Sequence, residues 1–206
     1  MWVLIVVTVL VGYLLGNLNG AVCVSKLLGD DVRAHGSGNA GLTNFIRSYG
    51  AGRALLVVVI DAGKALAACL LGGFLLNSKL GFAAGSILGG TAVMLGHVFP
   101  VFLGFHGGKG ILSGFFVAIV TDYRIALLIL AVFAIAYFAT SYVSLGSVLA
   151  AVAFAIGFTV FYSENLLIML CGIFMGLLAL FMHRQNILRL IRGQERKTNL
   201  FKKDKE

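Results

Sequence analysis

The chain has 206 residues, of which 60% are hydrophobic and only 12% are charged, with a formal net charge of +8. Water-soluble domains carry about a quarter charged residues, and a chain of this length cannot bury so apolar a composition away from water. Intrinsic disorder is also excluded, because disordered chains are poor in aliphatic residues. The composition therefore predicts an integral membrane protein whose main partner is the lipid bilayer.

The apolar runs predict the membrane-spanning segments in chain order. They cover residues 3–24, 54–76, 81–103, 111–121, 125–162 and 166–182. About 20 helical residues cross a bilayer, so the 38-residue run at 125–162 accommodates two crossings, with a break between Thr140 and Gly146. Seven spans result if the short run at 111–121 crosses, although it covers only about half of the hydrocarbon layer. The predicted fold is an all-α membrane helix bundle that forms a single domain over residues 1–206.

The distribution of basic residues predicts the orientation of the bundle. With seven spans and an external N-terminus, 13 of the 16 Lys and Arg residues lie on inner segments, whereas Lys79 and Arg124 lie on outer ones. This arrangement satisfies the positive-inside rule and leaves Lys64 inside a span. Residues 184–206 then form a basic cytoplasmic tail. We expect this tail to lie against anionic lipid rather than nucleic acid, because no soluble domain is predicted that could shape a nucleic-acid site.

Two features inside the predicted spans have structural explanations. Glycines recur every four residues in the first, third and last spans, a spacing that lets helix backbones approach closely. These glycines are Gly12, Gly16, Gly20, Gly81, Gly85, Gly89, Gly172 and Gly176. Asp61 and Lys64 are three residues apart and can neutralise each other on one helical face. Because intramembrane charges are also functional candidates, structural and functional interpretations of this pair stay equally open.

The first of three polar clusters follows the first span, at residues 31–47. Its glycines match the spacing G-x-G-x-x-G, but no predicted strand precedes them, so a dinucleotide-binding fold is not expected. Glycines still let backbone N–H groups turn toward an anion. Ser37, Asn39 and Thr43 add neutral donors, and Arg47 adds a guanidinium suited to phosphate. We therefore favour an anion-binding loop over a simple connection between spans.

The second cluster follows the third span and contains Pro100, the chain's single proline. A proline cannot donate to the carbonyl four residues earlier, so the helix is predicted to kink or end there. Gly107, Gly108 and Gly110 leave Lys109 on an unhindered turn, where its charge suits a phosphate, although the spacing is not that of a P-loop. The alternative for Lys109 is an interfacial lysine that extends to the membrane surface.

The third cluster closes the last span, where His183 and Asn186 are three residues apart and share a helical face. The basic and apolar residues that follow suit an amphipathic anchor at the interface, but an anchor does not explain this pair. The seven-span topology places all three clusters on the cytoplasmic face. Such an anion-binding rim would suit a phosphorylated polar substrate that reacts with a lipid-borne one.

The ordered motifs resemble a known family. The residues that carry the resemblance are Asp31-Val32-Arg33, Gly36-Ser37-Gly38-Asn39-x-Gly41-x-Thr43-Asn44-x-x-Arg47, Gly96-His97-x-Phe99-Pro100, Phe105-x-Gly107-Gly108-Lys109-Gly110, His183-x-x-Asn186 and Gly193-x-Glu195. Over essentially the whole chain they are similar to the acyl-phosphate-dependent glycerol-3-phosphate acyltransferases of bacteria. The chain departs from the family pattern at Gly16-Asn17-Leu18-Asn19-Gly20, at Leu42 and at His106.

The resemblance implies a multi-pass enzyme of the bacterial inner membrane with its active site facing the cytoplasm. Such an enzyme transfers a fatty acyl group from acyl phosphate to the sn-1 hydroxyl of glycerol 3-phosphate, forming lysophosphatidic acid and phosphate in phospholipid biosynthesis. The resemblance implies no cofactor or metal, and no use of acyl-CoA or acyl carrier protein. The residues implied to bind substrate or phosphate are Ser37, Gly38, Asn39, Thr43, Asn44, Arg47, Gly107, Gly108, Lys109, Ser144, Ser147, His183 and Asn186.

The catalytic residues implied by the resemblance are Ser37, Arg47, Lys109 and His183. An acyl phosphate is a mixed anhydride with a good leaving group, so the protein has mainly to orient the hydroxyl and neutralise negative charge. Donors and cations suit that task, and no carboxylate is expected among them. Either His183 or substrate phosphate takes the hydroxyl proton, and the resemblance favours the phosphate. A small membrane transporter of phosphorylated solutes is the alternative function, although transporters usually carry ionisable residues in both halves.

Overall fold

The computed structural model describes residues 1–198; residues 199–206, which belong to the predicted basic tail, lie outside the described residues. Within the described range the chain is helical, with two short 3-10 turns and no β-strand, which confirms the predicted all-α class. The helices are α1 (Trp2–Gly16), α2 (Gly20–Leu27), α3 (Leu42–Tyr49), α4 (Ala51–Leu80), α5 (Phe82–Val98), α6 (Ile111–Thr121), α7 (Tyr123–Thr140), α8 (Val143–Phe161), α9 (Leu166–Met182) and α10 (Arg184–Ile191).

The long apolar helices support a multi-pass membrane protein. Five helical segments in the described range are long and apolar enough to cross a bilayer. α9 and α10, which are bent by 57° relative to each other, add a sixth if they count as one span. α6 and α9 begin and end at the residues predicted for them, but α6 has only 11 residues. Length and composition therefore establish five or six long spans and one short apolar helix.

Two predicted breaks coincide with observed helix ends. α5 ends two residues before Pro100, and a 3-10 turn follows this proline. The 38-residue run divides between α7 and α8, where Ser141 adopts a left-handed conformation with a φ of 62° that a right-handed helix cannot continue. α8 begins two residues after Ser141, which places Ser144 in its first turn.

The first span is not the continuous helix expected over residues 3–24. It divides into α1 and α2 at Asn17-Leu18-Asn19. A new helix starts here because the Asn19 side chain accepts a hydrogen bond from the Val22 N–H at 3.0 Å and so caps α2. The hydropathy pattern does not reveal this break, since two amides are averaged with the apolar residues around them.

Close helix packing depends on most of the predicted glycines. A Cβ added to Gly16 would lie 2.3 Å from the Val93 carbonyl oxygen, and one added to Gly89 would lie 2.1 Å from the Ala68 carbonyl oxygen. The backbones of α1, α4 and α5 therefore touch at glycine, as is typical of helices that associate in lipid. Gly81 does not belong to this packing surface. Its φ is +81°, an added Cβ would have open space around it, and it forms the turn between α4 and α5.

Two groups of helices enclose the site. α1 and α4 pack against α5, whereas α7 and α9 pack against α8. The short α6 lies between the groups and contacts α4, α5 and α7. The polar segments that join α2 to α3, α5 to α6 and α9 to α10 come to the same end of the bundle, where residues from all three line one cavity.

Candidate active site

One cavity of about 370 Å³ brings the three polar clusters together. The predicted site residues that line it are Ser37, Asn39, Thr43, Asn44, Arg47, Lys109, Ser144, Ser147, His183 and Asn186. The predicted residues Gly38, Gly107 and Gly108 do not line it. A second pocket of about 570 Å³ adjoins the polar end, because it shares Ser37, Arg47, Arg189 and Glu195 with the cavity.

Asn44 organises the first polar loop from inside. Its side-chain nitrogen donates to the carbonyl oxygens of Val32, His35 and Asn39 at 3.0, 3.0 and 3.1 Å. Its Oδ1 accepts from the Ser37 N–H at 3.0 Å, and the residue is only 2% exposed. The amide is therefore used inside the loop. The geometry supports a role for Asn44 in shaping the loop rather than in direct contact with phosphate.

Three predicted glycines serve the turns of the loops instead of the cavity wall. Gly38 has a φ of +69°, which favours glycine at that turn. The N–H groups of Gly107 and Gly108 donate to the carbonyl oxygens of Val98 and His97 at 3.2 and 3.1 Å. These N–H groups already have acceptors at the end of α5, so they are not available to a phosphate. The geometry instead supports a role for the two glycines in placing Lys109.

Arg47 extends from the last turn of α3 toward the C-terminal segment. Its Nε donates to Thr198 Oγ1 at 2.9 Å, and Nη2 donates to the Arg196 carbonyl oxygen at 3.5 Å. Thr198 is itself held, because its N–H donates to the Ser141 carbonyl oxygen at 3.0 Å and its own carbonyl accepts from Tyr137 Oη at 3.2 Å. The end of the described chain therefore packs against the site, whereas a tail lying against lipid was the expectation.

A chain of hydrogen bonds crosses the polar end of the cavity. Lys109 Nζ donates to Asn186 Oδ1, and Asn186 Nδ2 donates to Glu195 Oε1 at 2.9 Å. Arg189 Nε donates to Glu195 Oε2 at 2.7 Å. Asn186 thus links Lys109 to Glu195, which also binds Arg189. All four side chains line the cavity.

Two carboxylates, Glu195 and Asp61, line the cavity beside the predicted donors and cations, among which no carboxylate was expected. In the sequence, Glu195 is marked by the motif Gly193-x-Glu195. The basic residues around this motif predict a solvated tail instead of a site residue. Burial alone would raise the pKa of Glu195, but hydrogen bonds from Arg189 and Asn186 hold it below its usual value. Burial, together with the positive charge of Arg189, lowers the pKa of Lys109 to about 8. A bound phosphate would counter this shift by favouring the charged ammonium.

His183 lies at the junction of α9 and α10, where it is 4% exposed and lines the cavity. Its Nδ1 lies 2.8 Å from the Ala179 carbonyl oxygen. A carbonyl oxygen only accepts, so Nδ1 carries the proton and Nε2 is the acceptor nitrogen of the neutral ring. The fixed tautomer can accept a hydrogen bond from a substrate hydroxyl.

The other end of the cavity is apolar and lies among the helices. α8 shows the change along one face, where Ser144 and Ser147 are followed by Ala150, Ala151 and Phe154. α6, α7 and α9 complete the apolar wall with Phe115, Ile129, Leu130, Phe133 and Met175. Within residues 1–198, no group of three or more His, Cys, Asp or Glu side chains could hold a metal ion. The cavity suits a ligand with an anionic head and an apolar chain.

Comparison with known sequences identifies the family. The family model described as Glycerol-3-phosphate acyltransferase matches residues 6–193. The glycerol-3-phosphate acyltransferase of Finegoldia magna is 39% identical over 189 residues, which cover 91% of this chain and 93% of the relative. That of Anaeromyxobacter dehalogenans (strain 2CP-C) is 40% identical over 192 residues, with 93% and 96% covered.

Solved structures agree with the sequence comparison. The chain is similar to the crystal structure of PlsY (YgiH), an integral membrane glycerol 3-phosphate acyltransferase, in its glycerol 3-phosphate form. The TM-score is 0.85 at 31% identity, and 95% of this chain and 96% of that chain are covered. The lysophosphatidic acid form of PlsY gives a TM-score of 0.82. The chain therefore belongs to the glycerol-3-phosphate acyltransferase family.

Proposed function

We propose that the chain transfers a fatty acyl group from acyl phosphate to the sn-1 hydroxyl of glycerol 3-phosphate, at the cytoplasmic face of a bacterial inner membrane. The products are lysophosphatidic acid, a phospholipid precursor, and inorganic phosphate. One observation carries the proposal: a single cavity joins a polar end with Arg47, Lys109 and His183 to an apolar end among the helices. Membership of an acyltransferase family weighs against the alternative of a transporter of phosphorylated solutes.

The polar end suits the electrostatic demands of this reaction. The hydroxyl oxygen of glycerol 3-phosphate attacks the acyl carbonyl, the bond between the carbonyl carbon and the phosphate oxygen breaks, and the departing phosphate takes the hydroxyl proton. Arg47 and Lys109 offset the negative charge of the two substrate phosphates. His183 Nε2 accepts a hydrogen bond from the second hydroxyl of glycerol 3-phosphate, which orients the substrate and leaves the proton of the attacking hydroxyl for the departing phosphate.

The cavity supports acyl phosphate as the donor. An acyl-CoA needs room for a nucleotide and a long pantetheine arm, and an acyl carrier protein needs a docking face beside the site. Here the loop between α2 and α3 already forms the polar end, and residues up to Thr198 pack across it. A donor that is only an acyl chain and a phosphate matches the two ends of the cavity.

The decisive experiment is a donor assay with purified protein in detergent or liposomes. We expect glycerol 3-phosphate and palmitoyl phosphate to give lysophosphatidate and one inorganic phosphate per turnover, without added metal. Palmitoyl-CoA and palmitoyl acyl carrier protein should give no product above a reaction lacking enzyme. Robust turnover with palmitoyl-CoA in a preparation free of acyl phosphate would overturn the donor assignment.

Removing either main cation tests the phosphate contacts. We expect Arg47→Ala and Lys109→Ala each to lower kcat/KM by a factor of about 100, or about 3 kcal/mol, because a substrate phosphate loses a charge-assisted bond in a partly dehydrated site. Arg47→Lys should restore activity only in part, since lysine lacks the planar fork. Arg53→Ala and Lys26→Ala are matched controls, because both residues are exposed and line neither pocket. Near-normal kcat/KM in either site variant would contradict these roles.

Gly114 on α6 offers a test of the apolar end. It lines the cavity, and a Cβ added to it would have the Phe154 ring as its nearest neighbour, 3.8 Å away. Gly114→Leu should therefore fill the acyl space and lower kcat/KM for palmitoyl phosphate more than for octanoyl phosphate. Gly63→Leu is the control, because it adds the same side chain at an exposed position of α4. No atom outside the helix's own backbone lies within 4 Å of a Cβ added there. Equal losses for both donors would place the acyl chain elsewhere.

The cavity also supports seven spans with an external N-terminus. Lys109 and His183 contribute to the same end of one cavity, so the chain between them crosses the membrane an even number of times. α7, α8 and α9 supply three crossings, and α6 supplies the fourth despite its length. Counting α1 with α2 as one span and adding α4 and α5 gives seven, and the positive-inside rule then places the cavity in the cytoplasm.

Cysteine labelling tests this orientation. After the three native cysteines are replaced, a cysteine at Ser48 or His106 should be shielded from an impermeant thiol reagent in intact cells and labelled after lysis. A cysteine at Ser163, in the turn between α8 and α9, is the external control and should be labelled without lysis. Labelling of Ser48→Cys from outside would refute a cytoplasmic site.

A further inference from the structure

A buried polar cluster, two of whose side chains line the cavity wall, takes no part in the reaction as described above. It consists of Asp61 and Lys64 on α4 and His97 near the end of α5, which are 2%, 4% and 4% exposed. Lys64 Nζ lies 2.7 Å from Asp61 Oδ1 and 2.8 Å from His97 Nδ1. Charged side chains at this depth are costly and mark a function or a tight structural requirement.

The cluster binds the backbone at the break in the first span. Lys64 Nζ donates to the carbonyl oxygens of Gly16 at 3.3 Å and Leu18 at 2.5 Å. The Gly20 N–H donates to Asp61 Oδ1 at 3.2 Å. These backbone groups lose their helical partners where α1 ends and α2 begins, and lipid cannot replace those partners. The ion pair therefore satisfies both sides of the break.

The break in turn holds the first polar loop. Asn19, which lies within the break, is fully buried. Its Nδ2 donates to the Ala40 carbonyl oxygen at 2.9 Å, while its Oδ1 caps α2. Ala40 lies between Asn39 and Thr43, both of which line the cavity. The position of the loop thus depends on the conformation that Lys64 and Asp61 impose on the break.

The cluster also contacts the second polar loop through His97. The His97 carbonyl oxygen accepts from the Gly108 N–H at 3.1 Å. A Cβ added to Gly108 would lie 2.2 Å from His97 Nε2 and 2.9 Å from the Ala40 carbonyl oxygen. The imidazole and the first loop therefore both pack against the residue that precedes Lys109.

We propose that Asp61, Lys64 and His97 form a positioning unit, which fixes the two polar loops relative to each other and so sets the geometry in which Arg47 and Lys109 bind phosphate. The unit acts through the break and the loops that it holds. The proposal rests on the proposed function for its activity readout, and it gives the Asp61 and Lys64 pair a functional interpretation that the experiments below test.

A charge-neutral double variant separates positioning from stability. Removing one charge alone leaves its partner buried and unpaired, which destabilises the fold, whereas replacing both charges is often tolerated. We expect Asp61→Asn combined with Lys64→Met to stay monodisperse in detergent. Its kcat/KM should nevertheless fall by about 100-fold, the loss typical of reactive groups displaced by an ångström, with a raised KM for glycerol 3-phosphate.

A second variant keeps the ion pair and cuts its link to the loop. Asn19→Ser preserves a good capping residue for α2 but is too short to reach Ala40. We expect it to raise the KM for glycerol 3-phosphate in the same direction as the double variant. The control replaces the ion pair at the opposite end of the bundle, with Asp122→Asn and Arg124→Met, and should leave this KM unchanged because neither residue lines the cavity.

A readout without turnover distinguishes this proposal from the proposed function. Inorganic phosphate that binds the folded site raises the thermal unfolding midpoint, and we expect this shift in the wild type and its loss in both network variants. A wild type that shows the shift but no acyl transfer would refute the proposed function alone. Folded network variants with a wild-type phosphate shift and a wild-type KM, whether or not their midpoint falls, would overturn the positioning unit.

Discussion

A helix that breaks within a bilayer exposes backbone groups that lipid cannot bind, and in this protein an intramembrane ion pair takes their place. Lys64 donates to the carbonyl of Gly16 at the end of α1 and to that of Leu18 in the break. Asp61 accepts from the first N–H of α2. Without such partners a continuous helix would be favoured, and Asn19 would not point at Ala40. The placement of the first polar loop is thus linked to charges buried in the neighbouring helix.

The same requirement for partners governs the cations of the site. Arg47 donates to Thr198, Lys109 to Asn186 and Arg189 to Glu195, so the basic side chains at the polar end are engaged within the described chain. Under the proposed function, an incoming phosphate would exchange one set of charge-assisted bonds for another, and its affinity would reflect the difference between the two sets. Such an exchange would give the C-terminal segment a place in substrate binding that its basic composition does not reveal.

The sequence predicted the parts of this fold that depend on local pattern. Helix type, the end of α5 before Pro100 and the break near Ser141 follow from hydropathy and backbone conformation. The break at Asn19 was missed because its stabilising groups come from another helix. Glu195 was part of a family motif but was not assigned to the site, because a carboxylate among lysines and arginines predicts a solvated tail. Composition along the chain does not show that this segment folds back over the cavity.

Direct phosphate ligands and residues that shape their loops are also hard to separate by sequence. Amides and glycines are expected in both roles, and only the hydrogen bonds of Asn44, Gly107 and Gly108 show that their groups are used within the protein. The sequence predicted Arg47, Lys109 and His183 as site residues because a cation or imidazole beside a glycine-rich loop has fewer structural uses, and all three line the cavity. Chemistry-bearing side chains are thus more predictable than the residues that hold them in place.

The sharp change in polarity along α8 would let one cavity serve both of the proposed substrates. Ser147 and Ala150 are three residues apart, so the wall turns from polar to apolar over about 4.5 Å of helix. In an acyl phosphate a single carbonyl group separates the phosphate from the apolar chain. When the phosphate lies among the cations and the chain lies beside Phe154, that carbonyl is placed at the boundary. Under the proposed function, the hydroxyl of glycerol 3-phosphate would approach from the polar end and meet the carbonyl at the boundary between the polar and apolar walls.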